Sequence, residues 1–229
     1  MTRVKICGIT QLDDGRCATE AGADYLGFIF YPKSARYIAP AHAGAIVQAL
    51  RAEFGPRTPT MVGVFVNEPM AGVAAIVNEA NLDLVQLHGD ESPATVAQLR
   101  PHAFKALRPR TLDEAKRALE AYASGGPVGN KRPDLLVDAY HPTERGGTGH
   151  RADLEIATWL ASRCRLLLAG GLRPENVRDA IVSIRPWGVD VSSGVEKAKG
   201  VKDHQRVRAF VRAVQLADKA LDGERSSHI

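Results

Sequence analysis

The chain alternates between two patterns of apolar residues along almost its whole length. Short and nearly continuous apolar runs, such as residues 26–30 and 166–169, are typical of strands covered on both faces, as in a parallel sheet. Longer stretches rich in Ala, Glu and Arg separate these runs and have the spacing of amphipathic helices. The predicted strands lie at about residues 3–6, 24–30, 60–66, 82–87, 103–107, 135–138, 165–169 and 188–191.

Eight helices are predicted between and after these strands, and four of them begin with a proline, which is tolerated in the first turn. Their predicted positions are about residues 11–21, 40–53, 69–80, 93–99, 112–123, 153–162, 174–184 and 203–217. Eight βα units predict an α/β protein with one closed, parallel (β/α)8 TIM barrel over residues 1–217 and a disordered tail over 218–229. An open doubly wound sheet is less favoured, because the first strand is not followed by its glycine fingerprint.

Composition narrows the class of protein further. The apolar share of 45% and charged share of 24% are ordinary for a globular protein. The net charge of +4 comes from the last helical region, where a solvated face is favoured over a nucleic-acid surface. Three cysteines without a C-x-x-C pair indicate neither a disulfide framework nor zinc. No signal peptide or membrane-length apolar run is visible, so we expect a cytoplasmic protein without a metal, a membrane contact or a nucleic-acid partner.

The first and last predicted strands carry charged residues on the face that points into a barrel. Alternation places Lys5 and Cys7 on the inner face of the first strand. A nearby cation and helix N-termini can lower the pKa of a thiol from its usual value of about 8.5, so Cys7 is either a candidate base or a small buried apolar residue. Asp190 lies in the last strand, which neighbours the first in a closed barrel, and is predicted to pair with Lys5.

Other strand ends supply further candidates, because active sites of such barrels lie at the C-terminal ends of the strands. Asp138 ends the sixth strand and is either a general acid or a cap for the following loop. Gln86 and His88 share the inner face of the fourth strand, and His88 is either a ligand contact or a histidine with structural partners. Arg36 follows the second strand and could grip a carboxylate through two nitrogens, or be solvated. Gly147 lies in a glycine-rich loop expected to line or cover the pocket.

Glycines and serines follow the last two strands. Gly170 and Gly171 come after the seventh strand, and Ser192, Ser193 and Gly194 come after the eighth. Glycine lets backbone N–H groups approach an anion closely, and a helix N-terminus favours negative charge. Many barrels of this type hold a phosphate with these two loops. The sequence therefore predicts a phosphate site at this point of the rim.

Taken together, these motifs resemble the phosphoribosylanthranilate isomerase family. The resemblance is carried by KICGIT at 5–10, GFIFYPKSARYI at 27–38, VGVFVN at 62–67, VQLHGDE at 85–91, GGTG at 146–149, AGGLRPENV at 169–177 and VDVSSGVE at 189–196. It implies a (β/α)8 barrel of tryptophan biosynthesis that converts N-(5-phosphoribosyl)anthranilate into 1-(2-carboxyphenylamino)-1-deoxyribulose 5-phosphate, with no cofactor and no metal. The stretch 151–154 departs from the family's pattern after GGTG.

Roles for single residues follow from the resemblance by position. It implies that Cys7 is the general base, that Asp138 is the general acid and that Arg36 anchors the anthranilate carboxylate. It places phosphate contacts on Gly171, Ser193 and their neighbours. The expected partner is a small phosphosugar substrate, and the expected assembly is a monomer or a homodimer.

Two other functions stay open at this point. A related barrel could be a lyase or synthase, which would use a catalytic lysine and glutamate at strand ends, and Lys5 and Lys105 are placed to compete for that role. A non-catalytic phosphate-binding barrel would bind phosphosugars but tolerate the loss of Cys7 and Asp138.

Overall fold

Eight parallel strands close into a barrel in the computed structural model, which describes residues 1–123, 132–138 and 148–226. The strands follow one another around the ring in chain order, and the first pairs with both the second and the last. This confirms the predicted α/β (β/α)8 barrel. The barrel strands are β1 (Arg3–Cys7), β2 (Tyr25–Ile29), β3 (Thr60–Phe65), β4 (Leu84–Leu87), β5 (Ala103–Leu107), β6 (Leu135–Asp138), β7 (Leu166–Ala169) and β8 (Gly188–Val191).

The helices of the described residues lie between and after these strands, as predicted. They are α1 (Leu12–Ala21), α2 (Pro40–Phe54), α3 (Met70–Glu79), α4 (Pro93–Gln98), α5 (Leu112–Tyr122), α6 (Thr148–Ala161), α7 (Val177–Ile184) and α8 (His204–Ser226). Helix α6 begins five residues before the predicted position 153. Within the described ranges, no helix is both long enough and apolar enough to cross a bilayer.

Helix α8 extends beyond the predicted end of the barrel at residue 217. It runs to Ser226 and so includes most of the predicted tail, while residues 227–229 lie outside the described residues. One contact accounts for part of the extension. The Thr2 backbone N–H and hydroxyl donate to the two carboxylate oxygens of Asp218 at 2.8 and 2.6 Å, which ties the last helix to the start of the chain.

A small hairpin between β8 and α8 was not predicted. A 3-10 turn, Ser193–Val195, leads into two short antiparallel strands, β9 (Glu196–Ala198) and β10 (Val201–Lys202). Gly200 turns the chain between them with a φ of +78°, a conformation that suits glycine. Strands of three and two residues are too short to produce a periodic pattern in the sequence. The hairpin that they form returns the chain to the barrel at Lys202.

Alternation along the strands separates an inner core from an outer one. The inner core is apolar and consists of Tyr25, Val62, Leu84, Phe104, Ala106, Leu136, Leu167 and Ala169. Residues between these on the same strands, such as Leu26, Val85 and Val137, belong to the outer core against the helices. Counting along β1, β4, β6 and β8 from this pattern puts Lys5, Cys7, Gln86, Asp138 and Asp190 on the inner face. The barrel therefore has an apolar interior with polar residues toward the C-terminal ends of the strands.

Candidate active site

Lys5 and Asp190 form the predicted ion pair across the closure of the barrel. They are register partners on β1 and β8, and Lys5 Nζ donates to Asp190 Oδ1 at 2.9 Å. Cys7 lies one inner-face position further along β1. A methyl group at Gly27 of β2 would come within 2.7 Å of the Cys7 sulfur and 3.1 Å of Lys5 Nζ, so both side chains occupy the space that this glycine leaves open.

The Cys7 thiol differs from the expectation of a lowered pKa. Burial raises its pKa above the ordinary value, although Lys5 acts in the opposite direction. Burial also lowers the pKa of Lys5, but Asp190 and Cys7 outweigh it and the pKa is raised overall, so the ammonium keeps its charge. In the unliganded protein at neutral pH, Cys7 is therefore a protonated thiol beside a permanent cation.

Gly27 is a residue that the sequence analysis did not single out, and its substitution tests the position of the thiol. We expect Gly27→Ala to lower kcat by about 10-fold, because the added methyl has to displace the Cys7 sulfur and a shift of ~1 Å can cost about 10²-fold. Steady-state kinetics measures this effect. Gly223→Ala is the matched control, since a methyl there meets nothing within 4 Å. A variant of Gly27 with normal kcat would show that the thiol position is not critical.

Asp138 ends β6 on the inner face, three steps around the ring from β1. Its side chain is mostly buried and contacts the exposed guanidinium of Arg108, which extends from the end of β5. Asp138 and Cys7 both stand at the C-terminal ends of parallel strands, so they lie on the same rim of the barrel. To act as an acid here, the Asp138 carboxyl group has to contact both Arg108 and the bound substrate.

Gln86 and His88 lie together at the end of β4. Gln86 Nε2 and His88 Nδ1 are 3.0 Å apart, and Gln86 Oε1 is buried without a hydrogen-bond partner among the residues that the structure describes. Burial lowers the pKa of His88, although the charges of Asp190 and Asp138 act to raise it. The imidazole is therefore mostly neutral at neutral pH, at the end of β4.

Arg36 lies at the same rim, and its guanidinium group already binds a carboxylate. Its Nε and Nη2 atoms donate to the two carboxylate oxygens of Glu196, each at 2.7 Å, so the carboxylate it grips belongs to the chain itself. A methyl group at Gly8 would come within 2.8 Å of Arg36 Cδ and 3.1 Å of Ser192 Oγ. Arg36 therefore stands over the end of β1, next to the end of β8. Glu196, in the unpredicted hairpin, was missed by the sequence analysis.

Lys202, in the same hairpin as Glu196, is a third residue that the sequence did not indicate. Its side chain has no exposed surface, and Nζ donates to Cys7 O at 2.6 Å, to Glu196 Oε1 at 2.9 Å and to Ser192 O at 3.3 Å. Burial lowers the pKa of Lys202, with Glu196 and Cys7 acting against that effect. The only signal in the sequence was a lysine two residues after a glycine, which is too common to indicate a site.

The two loops of the predicted phosphate site adjoin each other. Gly170 and Gly171 follow β7 with φ angles of +102° and +63°, which favour glycine. Gly194 lies so close to the β7 loop that a methyl group there would be 1.9 Å from Leu172 O. Only glycine permits so close an approach of the two loops.

The remaining predicted ligand contacts differ in how they are placed. Ser193 is exposed at the start of the 3-10 turn, whereas Ser192 Oγ is buried and has no partner within the described ranges. Gly147 lies outside the described residues. Over residues 1–123, 132–138 and 148–226, no group of three or more His, Cys, Asp or Glu side chains is arranged to hold a metal ion.

Comparison with known proteins decides the family. The model of the N-(5'-phosphoribosyl)anthranilate isomerase family matches residues 4–213, a span that contains every site residue described above. The chain belongs to this family. The phosphoribosylanthranilate isomerase of Geobacter sp. (strain M21) is 46% identical over 211 residues, which are 92% of this chain and 97% of the relative.

Solved phosphoribosylanthranilate isomerases have the same fold. The crystal structure of the enzyme from Thermotoga maritima is 40% identical with a TM-score of 0.78, and the match covers 94% of this chain and 99% of that one. A second crystal structure of a phosphoribosylanthranilate isomerase contains reduced 1-(o-carboxyphenylamino)-1-deoxyribulose 5-phosphate. It is 37% identical, with a TM-score of 0.78 and coverage of 94% and 99%.

Proposed function

We propose that the chain converts N-(5'-phosphoribosyl)anthranilate into 1-(2-carboxyphenylamino)-1-deoxyribulose 5-phosphate, an isomerisation of tryptophan biosynthesis. Membership of the isomerase family supports the reaction. The observation that carries the mechanism is the pair of inner-face groups at one rim of the barrel, the Cys7 thiol on β1 and the Asp138 carboxyl on β6.

The reaction needs one acid and one base on opposite sides of the sugar. The ring oxygen gains a proton as the furanose opens to an iminium, the C2 proton leaves to give an enolamine, and the enolamine tautomerises to the ketone. Asp138 is the group that protonates the ring oxygen, and Cys7 is the group that takes the C2 proton. The two strands are three steps apart around the ring, which puts the two groups on different sides of the rim.

Binding groups surround this pair. The β7 and β8 loops, with Gly170, Gly171 and the buried Ser192 Oγ, suit the phosphate because they bring backbone N–H groups and a hydroxyl to one place. Gln86 Oε1, also buried without a described partner, is an acceptor for a ligand hydroxyl or amine. Arg36 supplies the charge that anchors the anthranilate carboxylate.

The carboxylate anchor is tested by Arg36→Ala. A hydrogen bond to a charged group contributes about 1.5–3 kcal/mol, so KM should rise by at least about 10-fold, with a smaller change in kcat. Initial-rate kinetics over a range of substrate concentrations separates the two parameters. Competitive inhibition by ribose 5-phosphate, which lacks the carboxylate, is the control and should change much less. If Arg36→Ala weakened the binding of substrate and of ribose 5-phosphate by the same factor, Arg36 would have a general role in folding.

The lyase alternative required a catalytic lysine at a strand end. Phe104 and Ala106 occupy the inner face of β5, so Lys105 between them points toward the helices. There its ammonium is buried and donates to Glu91 and to the carbonyls of Leu87, Gly89 and Ala106. Lys105 is therefore unavailable to a ligand in the barrel.

Growth of a tryptophan auxotroph that lacks this isomerase tests the function directly. The chain should restore growth without tryptophan, and the purified protein should turn over N-(5'-phosphoribosyl)anthranilate. Absence of both would contradict the proposal. A homodimer is one expected assembly, and the isomerase of Thermotoga maritima is described as dimeric. The cytoplasmic location stays a prediction.

A further inference from the structure

The hairpin after β8 ends in a lysine whose hydrogen-bonding capacity is fully used. An ammonium group has three donors, and Lys202 Nζ directs them to Cys7 O, Ser192 O and Glu196 Oε1. The first two acceptors are backbone atoms at the ends of β1 and β8, which neighbour each other in the barrel. The ammonium is thus anchored to backbone atoms of the barrel, and its third bond reaches the carboxylate of Glu196.

That side chain is the partner of Arg36. Glu196 Oε1 accepts from Lys202 Nζ, from Arg36 Nε and, at 3.4 Å, from the Gly200 backbone N–H, and Oε2 accepts from Arg36 Nη2. The carboxylate is almost completely buried, and the two cations lower its pKa although burial raises it, so it stays charged. The anchored ammonium of Lys202 therefore restricts the orientation of this carboxylate.

Arg36 keeps donors for a ligand in this arrangement. A guanidinium has five N–H groups, and Glu196 accepts two of them. No described residue accepts a hydrogen bond from the Arg36 side chain other than Glu196. The plane of the guanidinium is set by Glu196, so the direction of the remaining donors is set by it too.

We propose that Lys202, acting through Glu196, is a positioning residue that orients Arg36 toward the carboxylate of the substrate. This inference rests on the proposed function, because it gives Arg36 the anthranilate carboxylate as its ligand. Without the lysine, Glu196 would lose its anchored cation, and the long Arg36 side chain would sample several rotamers before it met the substrate.

A double-mutant cycle tests this chain of contacts. Lys202→Met, which keeps the apolar stem and removes the ammonium, should raise KM by about 10-fold in the native background because the anchor is misplaced. In the Arg36→Ala background the same substitution should change KM by less than about 2-fold, since its effect passes through Arg36. A lysine that only stabilises the fold would change KM by the same factor in both backgrounds.

Lys105→Met is the matched control for the loss of a buried lysine. Lys105 is also almost completely buried and paired with a carboxylate, Glu91, but its contacts do not include Arg36. Any change that it causes in KM should therefore be the same with and without Arg36→Ala. Circular dichroism and thermal unfolding of each variant establish that the proteins compared are folded.

If Lys202→Met does not fold, Glu196→Gln can take its place in the double-mutant cycle. The amide keeps the size of the side chain but loses the charge and one of the two acceptor oxygens. We expect the same rise in KM and the same loss of effect in the Arg36→Ala background.

Two outcomes would overturn the inference. One is a normal KM in the variants of Lys202 and Glu196. The other is that these substitutions raise KM by the same factor in the native chain and in the Arg36→Ala background. Either result with a native chain that turns over substrate contradicts only the positioning role. A native chain without turnover contradicts the proposed function, and the positioning role with it.

Discussion

Replacement of Cys7 by serine is expected to lower kcat by at least about 10²-fold, the lower end of a typical general-base contribution. Serine has nearly the size of cysteine, so it fits beside Gly27, but its hydroxyl does not ionise in the accessible pH range. The substituted side chain can occupy the place of the base without accepting the C2 proton. Steady-state kinetics of the purified variant measures the effect.

The matched control is Cys17→Ser, the same chemical change at another buried thiol. The Cys17 sulfur lies 3.6 Å from His204 O, between α1 and α8, in the outer core rather than on the inner face of the barrel. This variant should keep kcat close to that of the native chain. Near-normal turnover in the Cys7 variant would remove Cys7 from the role of base.

The pH dependence of kcat/KM should also reflect the ionisation of Cys7. The active form of the base is the thiolate, and burial raises the pKa of Cys7 despite the opposing effect of Lys5. The thiolate fraction therefore grows with pH up to values above the usual thiol range. In Asp138→Asn, where the acid has been removed and only the base remains, kcat/KM should rise with pH in step with that fraction. This alkaline rise should be absent when Cys7→Ser is added to Asp138→Asn.

Replacement of Asp138 by asparagine should lower kcat by about 10²-fold or more. Asparagine keeps the shape of the side chain and can still contact a ligand, but its amide is not an acid that protonates the ring oxygen. Ring opening then depends on water or on the substrate itself. The decrease should appear in kcat more than in KM, because the proton is transferred in the transition state.

Asp134→Asn is the control for this substitution. Asp134 precedes β6 at the opposite end of the barrel, and its side chain is 13% exposed, against 14% for Asp138. It pairs with Arg165 as Asp138 pairs with Arg108. The control should lower thermal stability and leave kcat nearly unchanged. Equal losses of kcat in both variants would indicate that the carboxylates at the two ends of β6 matter for folding rather than for chemistry.

The sequence was sufficient to predict the barrel and the inner face of its strands, because both follow from strictly local patterns. Alternation on β1 separates Lys5 from Val4 and Ile6, and the closed ring makes Asp190 its neighbour. The start of α5 is also visible in the sequence, because Thr111 precedes Glu114 by three residues, the spacing of a capping box. In the structure Thr111 Oγ1 accepts from Glu114 N.

Other features depended on contacts between residues far apart in the chain. The partner of Arg36 is 160 positions away in a hairpin that has no periodic pattern. The need for glycine at position 27 arises only when β1 places a sulfur and an ammonium opposite it. The direction of the shift in the pKa of Cys7 depends on how completely the thiol is buried, and a neighbouring lysine in the sequence did not reveal that.

The ion pair between the first and the last barrel strand has a consequence for folding. The carboxylate that balances the Lys5 ammonium is 185 residues further along the chain. The surroundings of the Cys7 thiol are therefore complete only when β8 has docked against β1 and closed the ring. A chain that ends before Asp190 would lack this carboxylate, and we expect it to be inactive.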